Sequence, residues 1–319
     1  MVQKAHLLPP IKTLLKDSWK TFKGSVLNLF ILHLVGFAVI LGVGILGVLL
    51  SLPLGLLAII SGAQAGKLTP AIISSIGTLG ILVLIIILVF IVIGHAIHAA
   101  NTLFVGKYQS KPAFGKTLKK SLGYVLPLIL LGIVSFFMVT GGYFLLIIPG
   151  IFFAILFSFA PYEIILNNQG VLSSLRRSMS IVLAHFWGVV TRLLLWVIIV
   201  IAFAFLPAVL GGRGAGMSGL SFIINTCLGW FGVCYHIALY KQATKNFDPK
   251  KGDKLLWPVI AGVIGWVVGI IMITALSSAI FLAVMGAIQK GKAKPKALPP
   301  YQVQQVPNTA PLQGSSSAY

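Results

Sequence analysis

The sequence predicts an all-α polytopic transmembrane bundle, a six-helix core of three hairpins followed by a C-terminal transmembrane helix. Three observations predict it. The composition is 58% hydrophobic and 9% charged, whereas soluble domains carry about 25% charged residues, so this chain lacks the polar side chains to face water all round. Apolar runs of the length needed for a span, about 20 residues, recur along it. The lysines and arginines sit in short blocks between those runs, at alternate ends.

Taken in order, residues 1–24 read as an amphipathic interfacial helix. Ile11, Leu14, Leu15, Trp19 and Phe22 fall on one side and Lys12, Lys16, Lys20 and Lys23 on the other. Part of its apolar side is equally suited to lie on protein. No cleavable signal peptide is visible, because the apolar run that follows is far longer than a signal core; the first membrane helix is expected to be the targeting signal. Residues 25–245 form the six-span core. The first span runs from Ser25 to about Leu50, with an interruption at Pro53 and a short segment beyond it. Residues 61–69 are a loop holding only Lys67, and Pro70 opens the return helix to about Val105. A loop with Lys107, Lys111, Lys116, Lys119 and Lys120 leads to the hairpin 122–144 and 151–166, hinged at Pro149 and Gly150. A polar turn with Gly170 leads to Arg176 and Arg177, a fifth span over 181–211, a glycine-rich loop with Arg213, and a sixth span over 220–240.

Residues 246–289 carry one more apolar run, too long for one upright span and short for two; a hairpin bent at Ser277 and Ser278 competes with a single helix, and the single seventh helix is the reading taken. Residues 290–319, rich in Pro, Gln and Ser toward the end, are expected to be disordered. Within 246–289, Gly265 and Gly269 have the spacing that lets helices approach closely. Cys227 and Cys234 lie two turns apart on one helix, too far for a mutual disulfide, and read as packing residues.

Four acids stand against 24 lysines and arginines, a formal +20. The basic blocks lack the interleaved aromatics of a nucleic-acid surface, so the expected partners are membrane lipids, chiefly anionic headgroups, with a protein partner or a second copy of the chain as the other class. By the positive-inside rule the N-terminus is cytoplasmic, and the inner membrane is the expected location. A local pattern recurs three times before outbound spans: Leu15-Lys16-Asp17-Ser18, Leu118-Lys119-Lys120-Ser121 and Leu175-Arg176-Arg177-Ser178. Three units follow from it, each a basic entry helix and a pair of crossings.

Pro149, Gly150, Gly170, Leu175, Arg177 and Ser178, together with Lys16, Ser18 and Trp19 near the start, form a pattern that resembles the multi-span membrane domain associated with bacterial glycerophosphodiester phosphodiesterases and with related uncharacterised bacterial membrane proteins. The resemblance covers about residues 8–245. It implies a six-helix core without catalytic residues of its own. An acid that this family often carries is replaced here by Asn167, one turn after Glu163, and the catalytic barrel is absent.

Polar residues inside spans are costly and mark functional candidates. Arg192 needs a partner or a water-filled cavity, and Glu163 is placed to pair with Arg177 or Arg192. His33, His95, His98, His185 and His236 fall at similar depth, with His95 and His98 on one helix face; hydrogen bonds to neighbouring helices are the plain account of them, a shared polar cavity or a metal site the sharper ones. No phosphate-binding glycine loop, nucleophile elbow or H-E-x-x-H motif is present. No catalytic residue, cofactor or metal is therefore assigned. The expected role is a non-enzymatic membrane module that organises lipid or partner proteins. The alternative is a small-solute or lipid transporter with a polar cavity near Arg192, Glu163 and the histidines.

Overall fold

A computed structural model describes residues 8–65, 70–110, 112–209, 215–245, 247 and 256–291. Helices account for almost all of them, and no strand occurs among the described residues. Seven of these helices or helix pairs are long and apolar enough to cross a membrane, so the all-α polytopic bundle is the fold. The expected loop holding Lys67, the Arg213 glycines and the disordered tail lie wholly or mostly outside the described residues. The chain forms two compact units, Met1–Val268 and Gly269–Tyr319.

The first helix, α1 (Ile11–Ala65), is continuous through both expected interruptions. The stretch read as a separate interfacial helix is its first turns. Leu14, Ser18, Thr21, Ser25, Leu29, Leu32 and Gly36 are all buried, a stripe at three- and four-residue steps that passes from the lysine-rich turns into the apolar span without changing face. Trp19 stays half exposed at 52% and stacks on Phe22, which meets Phe231 edge-on. Gly24 is not a terminator: a Cβ there would lie 2.9 Å from the Tyr108 ring, so the glycine admits Tyr108 against the helix. Pro53 also leaves α1 unbroken; helices in lipid tolerate a proline because ending the helix would free more backbone groups than the one lost bond.

The return helix, α2 (Pro70–Gly106), pairs antiparallel with α1, and Gly36 and Gly47 admit Ile97 and Ile86 of that partner. A 3₁₀ turn (Tyr108–Ser110) and the short amphipathic α3 (Phe114–Leu122) lead into α4 (Val125–Leu145). The hairpin turns at Leu146, which is extended (φ −171°, ψ 161°), and α5 (Ile147–Leu156) follows at once. The hinge is therefore three residues before the expected Pro149-Gly150. Pro149 sits in the first turn of α5, where its missing N–H costs nothing, and Gly150 lets the Tyr143 ring close over the turn, since a Cβ there would be 2.4 Å from that ring.

After a turn at 157–159 the chain continues as α6 (Ala160–Asn167). Asn168, at φ 52°, is the only non-glycine residue in the left-handed region among the described residues. Gly170, the expected turn residue, has an ordinary φ of −69° and precedes α7 (Val171–Ala184). The fifth span, α8 (Phe186–Val209), starts only after a break at His185, so Ile181 and Val182 belong to the buried face of α7 and not to the span. The sixth is α9 (Ala215–Thr244). The last is α10 (Leu256–Gly291), one unbroken helix as read.

Residues of α10 up to Val268 pack on α4. A Cβ on Gly265 would fall 1.7 Å from the Gly141 carbonyl oxygen, and one on Gly141 would fall 2.3 Å from that of Gly262. The two backbones meet at Gly141, Gly262 and Gly265, with the Met138 backbone beside Gly262, and the Trp266 indole N–H donates to the Phe137 carbonyl at 2.9 Å. In the second unit, Ser277 and Ser278 return their hydroxyls to the Thr274 carbonyl of their own helix. That satisfies them without the bend the competing hairpin needed.

Buried side chains of the first unit concentrate toward the helix ends that carry the basic residues: Leu14 to Leu32 in α1, Ala96 to Val105 in α2 and Trp230 to Ala243 in α9. Elsewhere large apolar side chains face outward, among them Phe37 at 62%, Ile198 at 63% and Ile148 at 78% exposed. Exposed apolar area of this extent suits hydrocarbon surroundings, not water.

Candidate functional site

Three polar places sit among these helices. The first closes the break between α5 and α6. Glu163 is wholly buried, and its carboxylate accepts from the Arg177 Nε–H at 3.0 Å, the Asn167 amide at 2.8 Å and the Tyr240 hydroxyl at 2.8 Å. This is the one ion pair among the described residues. Of the two arginines the sequence offered to Glu163, the structure uses Arg177. Next to Arg177, the buried Ser178 mends the helix break: its hydroxyl donates to the Leu156 carbonyl at 2.7 Å and accepts from the Phe159 N–H at 3.1 Å. Tyr124 donates to the Asn168 side chain and ties the start of α4 to the same turn.

The three serines of the repeated motif share a fate. Ser18, Ser121 and Ser178 are each 0% exposed. Ser18 and Ser121 return their hydroxyls to their own helices, at Leu14 and Leu118, while Ser178 reaches across to α5. Lys16, Lys119, Lys120 and Arg176 point outward, and Arg177 is partly covered by its pair with Glu163.

The second place is Arg192. Because α8 begins at Phe186, Arg192 lies about 9 Å along it, shallower than the sequence suggested. Its guanidinium donates to the Gly188 carbonyl at 2.8 Å and to the carbonyls of Pro9 and Leu8 just before α1. Its Nε has no partner among the described residues, while Tyr235 donates to its backbone carbonyl at 2.8 Å. Held by carbonyl dipoles and not by a carboxylate, the guanidinium fastens the N-terminal segment to α8.

The histidines do not form one site. His33 donates through Nδ1 to the Leu29 carbonyl and packs on Trp230; His236 donates to Gly232 and packs on Trp196. His185 caps the end of α7. Among the described residues, His95 and His98 share a cavity of about 520 Å³ between α2, α4 and α5–α6, and neither Arg192 nor Glu163 lines it. Among the described residues no three His, Cys, Asp or Glu side chains converge as metal ligands. Cys234 is buried and Cys227 exposed, both as free thiols.

The third place is the basic end. Lys20, Lys241 and Lys245 line a pocket of about 360 Å³ with Asp17 and Gln109. The Lys241 ammonium donates to the Gly106 carbonyl at the end of α2 at 2.6 Å, where a cation complements the helix dipole. Lys107, Lys116 and Lys120 surround a second pocket of about 250 Å³ floored by Leu103 and Thr117, with no acid in its lining.

Sequence reasoning missed Tyr240, the far partner of Glu163, because nothing local distinguishes it from an interfacial tyrosine. It also missed the cross-helix role of Ser178, although the recurrence of Ser in three motifs was the available signal. No family model, curated protein or solved structure matches this chain.

Proposed function

We propose that the protein is a non-enzymatic module of a bacterial inner membrane, its N-terminus cytoplasmic, that gathers anionic lipid headgroups at its basic end and presents that end to protein partners or a second copy of itself. The observation that carries this reading is the convergence of lysines from α1, the α2–α3 connection, α3 and α9 around two pockets at one end of the bundle. Each basic residue near an anionic leaflet contributes about 1 kcal/mol, so three lysines around an acid-free pocket favour a net anionic headgroup over a zwitterionic one. The buried acid and the intramembrane arginine support it indirectly: Glu163 is engaged by three donors and Arg192 by three carbonyls. The resemblance to the membrane domain associated with phosphodiesterases belongs to this proposal and suits a helper role beside a separate catalytic domain.

Native mass spectrometry of protein purified in mild detergent tests it. Phosphatidylglycerol should be retained over phosphatidylcholine, and the combined variant K107A/K116A/K120A should reduce the retained anionic lipid severalfold. Equal retention of both lipids would overturn the reading. Solute flux into proteoliposomes that Arg192→Ala abolishes would replace it with the transporter.

A further inference from the structure

The cavity between α2, α4 and α5–α6 carries chemistry that the basic end does not share. Its space exists because Gly94, Gly132 and Ala154 present almost no side chain where three helices face one another, and its walls are aliphatic and aromatic. Its volume of about 520 Å³ falls in the range of small-ligand sites, roughly 300–1,000 Å³. Four polar side chains reach it: His95, His98, Ser135 and Ser158. None of its lining residues is Lys, Arg, Asp or Glu.

Two of those groups define what would fit. His95 Nδ1 lies 2.7 Å from the Ile91 carbonyl. A carbonyl only accepts, so Nδ1 holds a proton, which leaves Nε2 as the ring position able to accept. That Nε2 lies on the Gly132 side of the ring, 4.0 Å from where a Cβ on Gly132 would stand. The Ser158 hydroxyl is buried with no partner among the described residues, and it both donates and accepts. Beside His98 and Ser135, the cavity thus offers one defined acceptor and one unpartnered hydroxyl in apolar surroundings. His98 lies about 12 Å from the Gly106 end of α2, within the hydrocarbon, where a charged head is costly. A carboxylate or phosphate would set its oxygens against the Nε2 lone pair with no cation to compensate. A quaternary ammonium has no hydrogen to give. A hydroxyl donates to Nε2 and accepts from serine.

We propose that this cavity binds an uncharged, hydroxyl-bearing amphiphile, a long-chain alcohol or monoacylglycerol, with its hydroxyl at the His95 and Ser158 level and its chain along the apolar walls. This goes beyond the headgroup reading and does not rest on it, because the lysine variants above leave the cavity untouched.

The test is photolabelling of the purified full chain by three alkyl-diazirine probes of equal length, ending in a hydroxyl, a carboxylate or a trimethylammonium, with labelled residues mapped by mass spectrometry. The alcohol probe should label residues of the 90–98 and 128–139 segments preferentially, and excess unlabelled monoacylglycerol should remove that label while fatty acid does not. Gly132→Leu, which fills the space without meeting backbone, should abolish it. Ser158→Ala should weaken it about tenfold, as loss of one hydrogen bond does. Equal labelling by all three probes, preference for the carboxylate, or unchanged labelling in a Gly132→Leu protein of normal helix content would each overturn the proposal. Loss of anionic-lipid selectivity with this labelling intact would sink the headgroup reading alone.

Discussion

Glu163 has the environment in which a buried charge is most expensive to leave unpaired. Its side chain is 0% exposed, and Arg177 is the sole cation on it, while Asn167 and Tyr240 supply neutral donors. Arg177→Met should therefore destabilise the protein by about 3 kcal/mol, and adding Glu163→Gln should recover part of that loss. Chemical unfolding in detergent micelles measures both, and a double variant no more stable than Arg177→Met would contradict the pairing. Ser178 supports a different prediction. Its hydroxyl satisfies a carbonyl and an N–H released by the turn at 157–159, so Ser178→Ala should cost about 1–3 kcal/mol. Ser277→Ala, whose hydroxyl only returns to its own exposed helix, should stay within about 0.5 kcal/mol.

At the scale of elements, the breaks and the close approaches carry the architecture. α4 and α5 turn on one extended residue, Leu146, and α10 meets α4 on bare backbone at Gly141, Gly262 and Gly265. Gly265→Leu has no space to occupy, so the Trp257–Val268 part of α10 should leave α4. The Trp266 indole would lose the Phe137 carbonyl and face hydrocarbon without a hydrogen-bond partner, so tryptophan emission should shift to the blue. Gly286→Leu, where an added Cβ meets nothing within 4 Å, should leave the emission unchanged; an equal effect from both would argue against the glycine contact. Helix existence was legible in the apolar runs, as the single α10 shows. The breaks were less so. The Leu146 hinge lies in an unpunctuated apolar stretch, whereas Pro149 and Gly150 attracted the expectation because they interrupt helices in water. Inside a first turn proline breaks nothing. Gly24 ends no helix because it answers to Tyr108, and Gly170 lies in the expected polar turn in an ordinary extended conformation.

For the whole molecule, the distribution of charge leads to a topological prediction. Seven candidate spans, an odd number, place the region before α1 and the region after α10 on opposite sides. A reporter fused at residue 319 should therefore report the side opposite to one fused at the N-terminus, even though Lys290, Lys292, Lys294 and Lys296 run against the charge rule there. Cysteines introduced at Ser110 and at residue 213 should likewise label from opposite sides, and labelling of both from one side would refute the arrangement. The candidate site was legible only as a list of costly residues. The list held Arg192, Glu163 and five histidines, and the fold sends them to separate neighbourhoods, with His95 and His98 left beside a cavity.

The sequence by itself determined that these helices belong in lipid, how many there are and which ends carry the cations. Those properties follow from transfer energies and helix length, which sum along the chain and need no neighbours. Only the tertiary structure decided that Arg177 and not Arg192 meets Glu163, that Ser178 mends the turn between α5 and α6, and that glycines on α4 and α10 touch. Each of these is a contact between residues far apart in the chain, and nothing in a helix's own periodicity says which helix lies beside it.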